Sequence, residues 1–408
     1  MEVTTSSEQV KSRVPVIDII RGVSIAGISL ANASLMNTSV EKTMEGRFYY
    51  QSGLLESVTS FILDNFIYQK FTGIFVFLFG LSLHLFHQSL QKKGLETDSI
   101  LRKRFFGIFI LGFLQTLFIW WGDILMIYGI FGLALIPLMR RPAEDLLKVC
   151  GIILVCAALG QILALFPYFD EAPALKKVLA QNPMYLTLGF WAIVPYRVLD
   201  YYNSNFVGFL DFKNMHMFSA YLNFMLRLFF FMVLGLYCGK KSYFSDLKKH
   251  NLFFFKVGSS CALMMGFFLA CKLLVLEEGS TTLNIWMEFT LPLVYTSLFV
   301  FLSQTSYGRW MLLPFAKIGK MTLSNYLMIN LTLSLVLYGY GLSYYGQISM
   351  FAISMLTVFI YATYSAISYV YLNFFSFGPA EWVLRKWTYW NWSKGSRQSQ
   401  SSDLRVAQ

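Results

Sequence analysis

Asp18 and Arg21 stand three residues apart inside an otherwise apolar stretch, Ile17-Asp18-Ile19-Ile20-Arg21-Gly22. On a helix that spacing puts both on one face, where they neutralise each other or present a guanidinium to an anionic group. Asn32 follows eleven residues after Arg21, about three turns on and on nearly the same face. Lys70 opens a second apolar run, Asp123 sits in Gly122-Asp123-Ile124-Leu125, and Arg227 lies about ten residues into a later run. A charge in hydrocarbon costs about 2.5–3.5 kcal/mol on insertion scales, so it snorkels or faces a protein interior or wet cavity. Snorkelling suits Lys70 and Lys272 but not Arg227, for which Glu288 and Asp123 are candidate partners. Asp123 is placed either to cap the following helix or to act as an acid or base, with Tyr128 five residues on.

Other chemistry is thinly represented. Thr322, Asn325 and Tyr326 share a helical face, as interhelical glue or as part of a site. The histidines are His84, His87, His216 and His250; none has carboxylate neighbours at metal-ligand spacing, so no metal site is expected. Cys150, Cys156, Cys238, Cys261 and Cys271 form no C-x-x-C pair and read as small packing residues. There is no G-x-S-x-G and no Gly-rich phosphate loop after a strand.

The elements that must hold these residues are long apolar helices. Hydrophobic residues make up 56% of the 408, aromatics 18% and charged residues only 13%, and the mean hydropathy is +0.54. Runs of about 18 or more apolar residues cross the ~30 Å hydrocarbon core as helices. The expected fold is all-α, a polytopic transmembrane helix bundle of about ten spans: 15–36, 69–88, 104–121, 123–139, 146–168, 217–238, 252–275, 284–304, 318–340 and 348–374. The first span is expected to be retained rather than cleaved as a signal, since Asp18 and Arg21 interrupt it. Residues 1–14 read as a cytoplasmic segment, 15–392 as one transmembrane domain, and 393–408 as a disordered cytoplasmic tail.

Net charge is +11. Here it reflects basic links rather than nucleic acid binding, since Lys and Arg collect on the cytoplasmic side. Every even link is basic, for example Arg102-Lys103-Arg104, Arg140-Arg141 and Lys240-Lys241, whereas Trp120-Trp121-Gly122-Asp123 and Glu277-Glu278 are neutral or acidic. Ten spans with both termini cytoplasmic satisfy the rule, in a bacterial plasma membrane. Leu54 to Phe66 reads as an interfacial helix feeding the second span. Pro183 to Tyr202 reads as an aromatic segment lying on the outer surface. Gly378-Pro379 reads as a turn into a short amphipathic helix with Glu381 and Arg385 one turn apart.

As an ordered set, several stretches resemble the YeiB-like bacterial membrane protein family, domain-of-unknown-function family 418. They are Ile17–Gly22, Lys70–Phe75 with Leu78-Phe79-Gly80, Trp121–Leu125 with Tyr128, Gly319–Tyr326, Tyr338–Leu342, and Gly378–Trp382 with Arg385. The family has no settled activity and is loosely associated with transport. Through Asp18, Arg21 and Gly22 the first span is also distantly similar to membrane acyltransferases. That likeness implies an acyl group passed from a cytoplasmic acyl-CoA to an outer acceptor, with a histidine near the site. Here Asn32 stands where one branch carries that histidine, and residues 37–69 contain none. Gln115 stands where YeiB-like proteins carry a histidine eight residues before the Asp of Gly-Asp-Ile-Leu. Gln cannot serve as a base near neutral pH.

The resulting expectation is a polar intramembrane cavity lined by spans one, two, four, six and nine. It would bind or transport a small, anionic or amphiphilic envelope-related solute. Arg21, Asp18, Asn32, Lys70, Gln115, Asp123, Tyr128, Arg227 and Asn325 are the candidate binding residues. The alternative is acyl transfer with Asp123 or His216 as base and acyl-CoA as donor; otherwise no cofactor is evident. A third reading is an accessory protein without chemistry. The expected partners are the lipid bilayer and an unidentified small molecule.

Overall fold

In the computed structural model of the chain, the described residues are 15–38, 53–163, 182–203, 215–274 and 280–390. The expected N-terminal segment and C-terminal tail lie outside them. All regular structure among the described residues is helical. In lipid this is a requirement, because backbone groups without water must pair locally.

The elements are α1 Pro15–Met36, α2 Leu54–Ile62, α3 Lys70–Lys92, α4 Thr97–Phe118, α5 Leu125–Leu138, α6 Ala143–Leu163, α7 Asn182–Thr187 and α8 Val194–Tyr202. They continue with α9 Met215–Lys240, α10 Asn251–Leu274, α11 Ser280–Gln304, α12 Ser306–Lys320, α13 Thr322–Leu337, α14 Met350–Phe374 and α15 Pro379–Thr388. Helices overlap all ten expected spans, the ninth in two pieces and the fifth as far as Leu163. Among the described residues, seven stretches are long and apolar enough to cross a membrane: α1, α2 with α3, α6, α9, α10, α11 and α14. The apolar helices α5 and α13 are shorter, at 14 and 16 residues. α4 is long enough but carries Arg102, Lys103 and Arg104 in its first turns.

Burial orders the bundle. The apolar window of α1 is 78% buried and that of α10 only 6%, so α1 is a central post and α10 a lipid-facing helix. Glycines set the closest approaches. A Cβ on Gly235 of α9 would lie 1.9 Å from the Phe77 carbonyl oxygen of α3, and one on Gly80 2.0 Å from that of Met232. At the α1–α12 crossing, a Cβ on Gly319 would lie 1.8 Å from the Asp18 carbonyl oxygen. Such contact of backbones is how helices gain packing where lipid gives no hydrophobic drive.

Two helices are broken. α2 passes through a π-helical turn, Leu63–Ile67, and then Gln69 adopts a left-handed backbone (φ 64°) before α3 begins. This matches the expected entry helix. The ninth span differs from expectation. Instead of one helix over 318–340, the chain forms amphipathic α12, breaks at Met321 (φ −114°, ψ 38°) and restarts as α13. The break lies two residues after the Gly319 contact with α1, where a glycine both permits the close approach and weakens the helix.

The basic links gather at one end of the bundle, where Lys240 donates to the Met139 carbonyl and Lys241 pairs with Glu144. At the other end α7 and α8 cover the Trp120–Asp123 link. Arg197 of α8 is fully buried there, donating to the Leu117 carbonyl (3.1 Å) and the Tyr340 hydroxyl (2.7 Å). Phe190, Tyr338 and Tyr340 place their rings 5.3–5.9 Å from its guanidinium.

Candidate functional site: a basic vestibule

A cavity of about 380 Å³ opens between α1, α3, α4, α5, α13 and α15. Arg21 reaches it from α1. Its guanidinium is held by Asp18 (3.1 Å) and by the Ser82 hydroxyl of α3. The three-residue spacing read from sequence therefore forms an intrahelical ion pair, and the same arginine also lines the cavity.

Three further cations stand around the mouth: Arg104 of α4, Lys320 at the end of α12 and Arg385 of α15. The Arg104 guanidinium lies 5.0 Å from the Phe86 ring centre, and that of Arg385 lies 4.1 Å from Phe377. Among the described residues one carboxylate lines the mouth, Glu381, and it is committed. Its Oε1 accepts from the backbone N–H of Leu323 (2.7 Å) and Ser324 (3.3 Å), and its Oε2 bonds the Ser324 hydroxyl. This caps α13, whose own N-cap residue Met321 has no acceptor to offer. Glu381 thus fastens α15 across the vestibule, helped by Trp387, whose indole donates to the Lys103 carbonyl (2.9 Å).

Below the mouth the walls are aromatic. Tyr128 of α5 packs its ring 5.9 Å from Phe75 and 5.4 Å from Phe79. Tyr326 of α13 closes the floor and donates to Asp123 Oδ1 (3.0 Å). Asp123 Oδ2 accepts the Leu125 N–H at 2.9 Å, so the cap expected at the head of α5 is present. With both oxygens occupied and only 3% of its surface exposed, Asp123 is a shielded acceptor behind the floor. Gln115, 1% exposed, packs beside Tyr326. The Tyr128 hydroxyl meets no hydrogen-bonding partner among the described residues. Buried polar groups rarely stay unpaired, so this is a place with capacity for a polar atom from elsewhere.

The other candidate residues lie apart. Arg227 pairs with Glu288 of α11 and donates to Gln69 at the break before α3. Lys70 sits 4.0 Å from the same Glu288 and donates to the Asp64 carbonyl. Neither lines the vestibule, and Lys70 is 1% exposed, so it does not snorkel. Asn32 bonds Asn330 (3.2 Å), and Asn325 bonds Ser368 (2.9 Å) and the Ile318 carbonyl; both are ties between helices. Asn325 therefore turns away from Tyr326. His216 falls in the first turn of α9, and its side chain lies outside the described residues. The cavity draws on expected spans one, two, four and nine; the sixth, α9, is replaced by the third and by α15. Arg104, Lys320, Arg385 and Glu381 were visible in the sequence as topology and turn signals, and the last three also within the stretches that carry the family resemblance, but none as a cavity residue. No group of three or more potential metal ligands occurs among the described residues.

Comparisons with known proteins place the chain beside uncharacterized relatives and add no activity. The family model described as "Protein of unknown function (DUF418)" matches residues 238–391. The chain is 26% identical over 397 residues to "Uncharacterized protein YxaH" of Bacillus subtilis (strain 168), covering 93% of this chain and 95% of the relative. It is also 26% identical over 338 residues to "Uncharacterized 39.9 kDa protein in amylase 3'region" of Bacillus acidopullulyticus, covering 82% and 84%.

Proposed function

Because residues 238–391 match the family described as protein of unknown function DUF418, and that description carries no activity, we propose a function from the site alone. The protein binds an anionic amphiphile in the vestibule, from the end that carries the basic links. The positive-inside rule makes that end cytoplasmic. The observation that carries the reading is the layering of one cavity: Arg21, Arg104, Lys320 and Arg385 at the mouth, and Phe75, Phe79 and Tyr128 beneath. Cations at a wet, low-dielectric opening attract and hold an anion, while ring faces accept its apolar part. Onward passage would require parting Tyr326 from Asp123, which makes this pair the natural gate for transport.

The test is saturable binding to protein in zwitterionic nanodiscs. Labelled anionic amphiphiles (an alkyl sulfate, an alkyl phosphate and an acyl-CoA) are compared with a neutral alkyl glucoside. At least one anion should bind saturably, and Arg21→Gln should weaken it about tenfold, the loss of one charge-assisted contact of about 1.4 kcal/mol. Equal, unsaturable partitioning of all probes would refute the reading.

Acyl transfer is the second reading, favoured by the buried carboxylate and tyrosine at the floor. In such a step the acceptor oxygen or nitrogen would form a bond to the acyl carbon as the carbon–sulfur bond breaks. The acceptor's proton would pass to Asp123, and CoA would leave. Release of CoA from labelled acetyl-CoA, lost in Asp123→Asn, would establish it. Transport without CoA release would exclude it.

A further inference from the structure

We infer that the vestibule is built for a doubly charged headgroup, so that its ligand is an amphiphilic phosphate monoester or diphosphate rather than a carboxylate, sulfate or sulfonate. This rests on the vestibule reading above and specifies its substrate class. The argument is a balance of charge at the mouth. Arg21 is offset by Asp18 at 3.1 Å. Arg104, Lys320 and Arg385 have no carboxylate within ion-pair distance among the described residues, and the one acid nearby, Glu381, is turned onto the start of α13. Three cations against one committed carboxylate leave an excess of two positive charges. Arg104 is half-buried while Lys320 and Arg385 are exposed; a monoanion would leave one of the excess cations to solvent alone, whereas a dianion cancels the excess.

The geometry favours phosphoryl oxygens as well. Arg104 and Arg385 lie over Phe86 and Phe377, so ring contacts orient their guanidinium groups without occupying their N–H donors. No hydrogen bond from either guanidinium is made to another described residue. Two planar forks with a free ammonium beside them match tetrahedral oxygens, which accept bidentate pairs. The aromatic walls below require that the phosphate be joined to an apolar chain.

The experiment uses full-length protein in zwitterionic nanodiscs, followed by the shift in unfolding temperature with added probe. Decyl phosphate at pH 8 is a dianion, decyl sulfate a monoanion of equal chain length, and inorganic phosphate a dianion without a chain. Decyl phosphate should bind at least tenfold more tightly than either. Its lead over the sulfate should vanish at pH 5, where the monoester has taken up a proton (pKa near 6). Arg104→Gln and Lys320→Gln should each remove the preference while the unliganded unfolding temperature stays unchanged. Equal binding of sulfate and phosphate would overturn this inference but leave the vestibule reading standing. Binding of inorganic phosphate as tight as decyl phosphate would overturn the amphiphile class. No binding by any probe would sink both readings. A phosphate preference retained in both variants would place the site elsewhere and overturn the inference.

Discussion

At the scale of residues, two ionic arrangements that look alike in sequence differ in kind. Arg21 touches a cavity, whereas Arg227 is enclosed with Glu288, Lys70 and Gln69. Breaking a buried pair strands its partner, at about 3–5 kcal/mol. Glu288 serves two cations, so Glu288→Gln should cost stability in that range, while Arg227→Met should cost less because Lys70 still faces the carboxylate. Thermal unfolding in detergent ranks the two, and the reverse order would disprove the shared-anion arrangement. Asp200 offers a pH test. It accepts from the Tyr185 hydroxyl, and burial pushes its pKa up to about 6, the tyrosine bond opposing that rise. A carboxyl with a pKa near 3.9 when unfolded thus takes up its proton more readily in the folded protein. Its contribution to stability is full below about pH 4 and declines as pH climbs through 6. The unfolding temperature should fall between pH 4.5 and 7.5 by more in the wild type than in Asp200→Asn.

At the scale of elements, the contacts that shape the vestibule are backbone approaches and one cap. Gly319→Leu and Gly235→Leu should separate α1 from α12 and α3 from α9, and reduce the yield of monodisperse protein several-fold. Gly266→Ala, with open space around it, should be neutral or slightly stabilising as a helix-propensity gain of up to about 1 kcal/mol. Size-exclusion profiles after extraction compare the three. Glu381→Gln keeps the shape but lowers the charge on the capping acceptor, and should loosen α15 by about 0.5–2 kcal/mol. Faster proteolysis after Arg385 or Lys386 would report it, and unchanged cleavage would argue that Trp387 alone holds the helix.

At the scale of the whole molecule, orientation is open to direct measurement. In a cysteine-free background, Lys248→Cys and Leu342→Cys lie at opposite ends of the bundle. An impermeant maleimide added to intact cells should label only the second if the basic end is cytoplasmic. The membrane character, the helices and even the entry helix before Lys70 were legible in the sequence. Lipid forces every backbone group to pair within its own segment, so helices are dictated locally by apolar length. The Asp18–Arg21 pair and the Asp123 cap were legible for the same reason, since both act within one or two helical turns. The meeting of Arg104, Lys320 and Arg385 was not, nor was the enclosure of Arg227 by Glu288. Those partners are separated by tens to hundreds of residues, and no periodicity marks which helix faces which. Only the glycine-set crossings of α1 with α12 and α3 with α9, and the break at Met321, decided which charges share a void and which are locked to one another. Chain-local physics wrote the helices, and long-range packing chose the site.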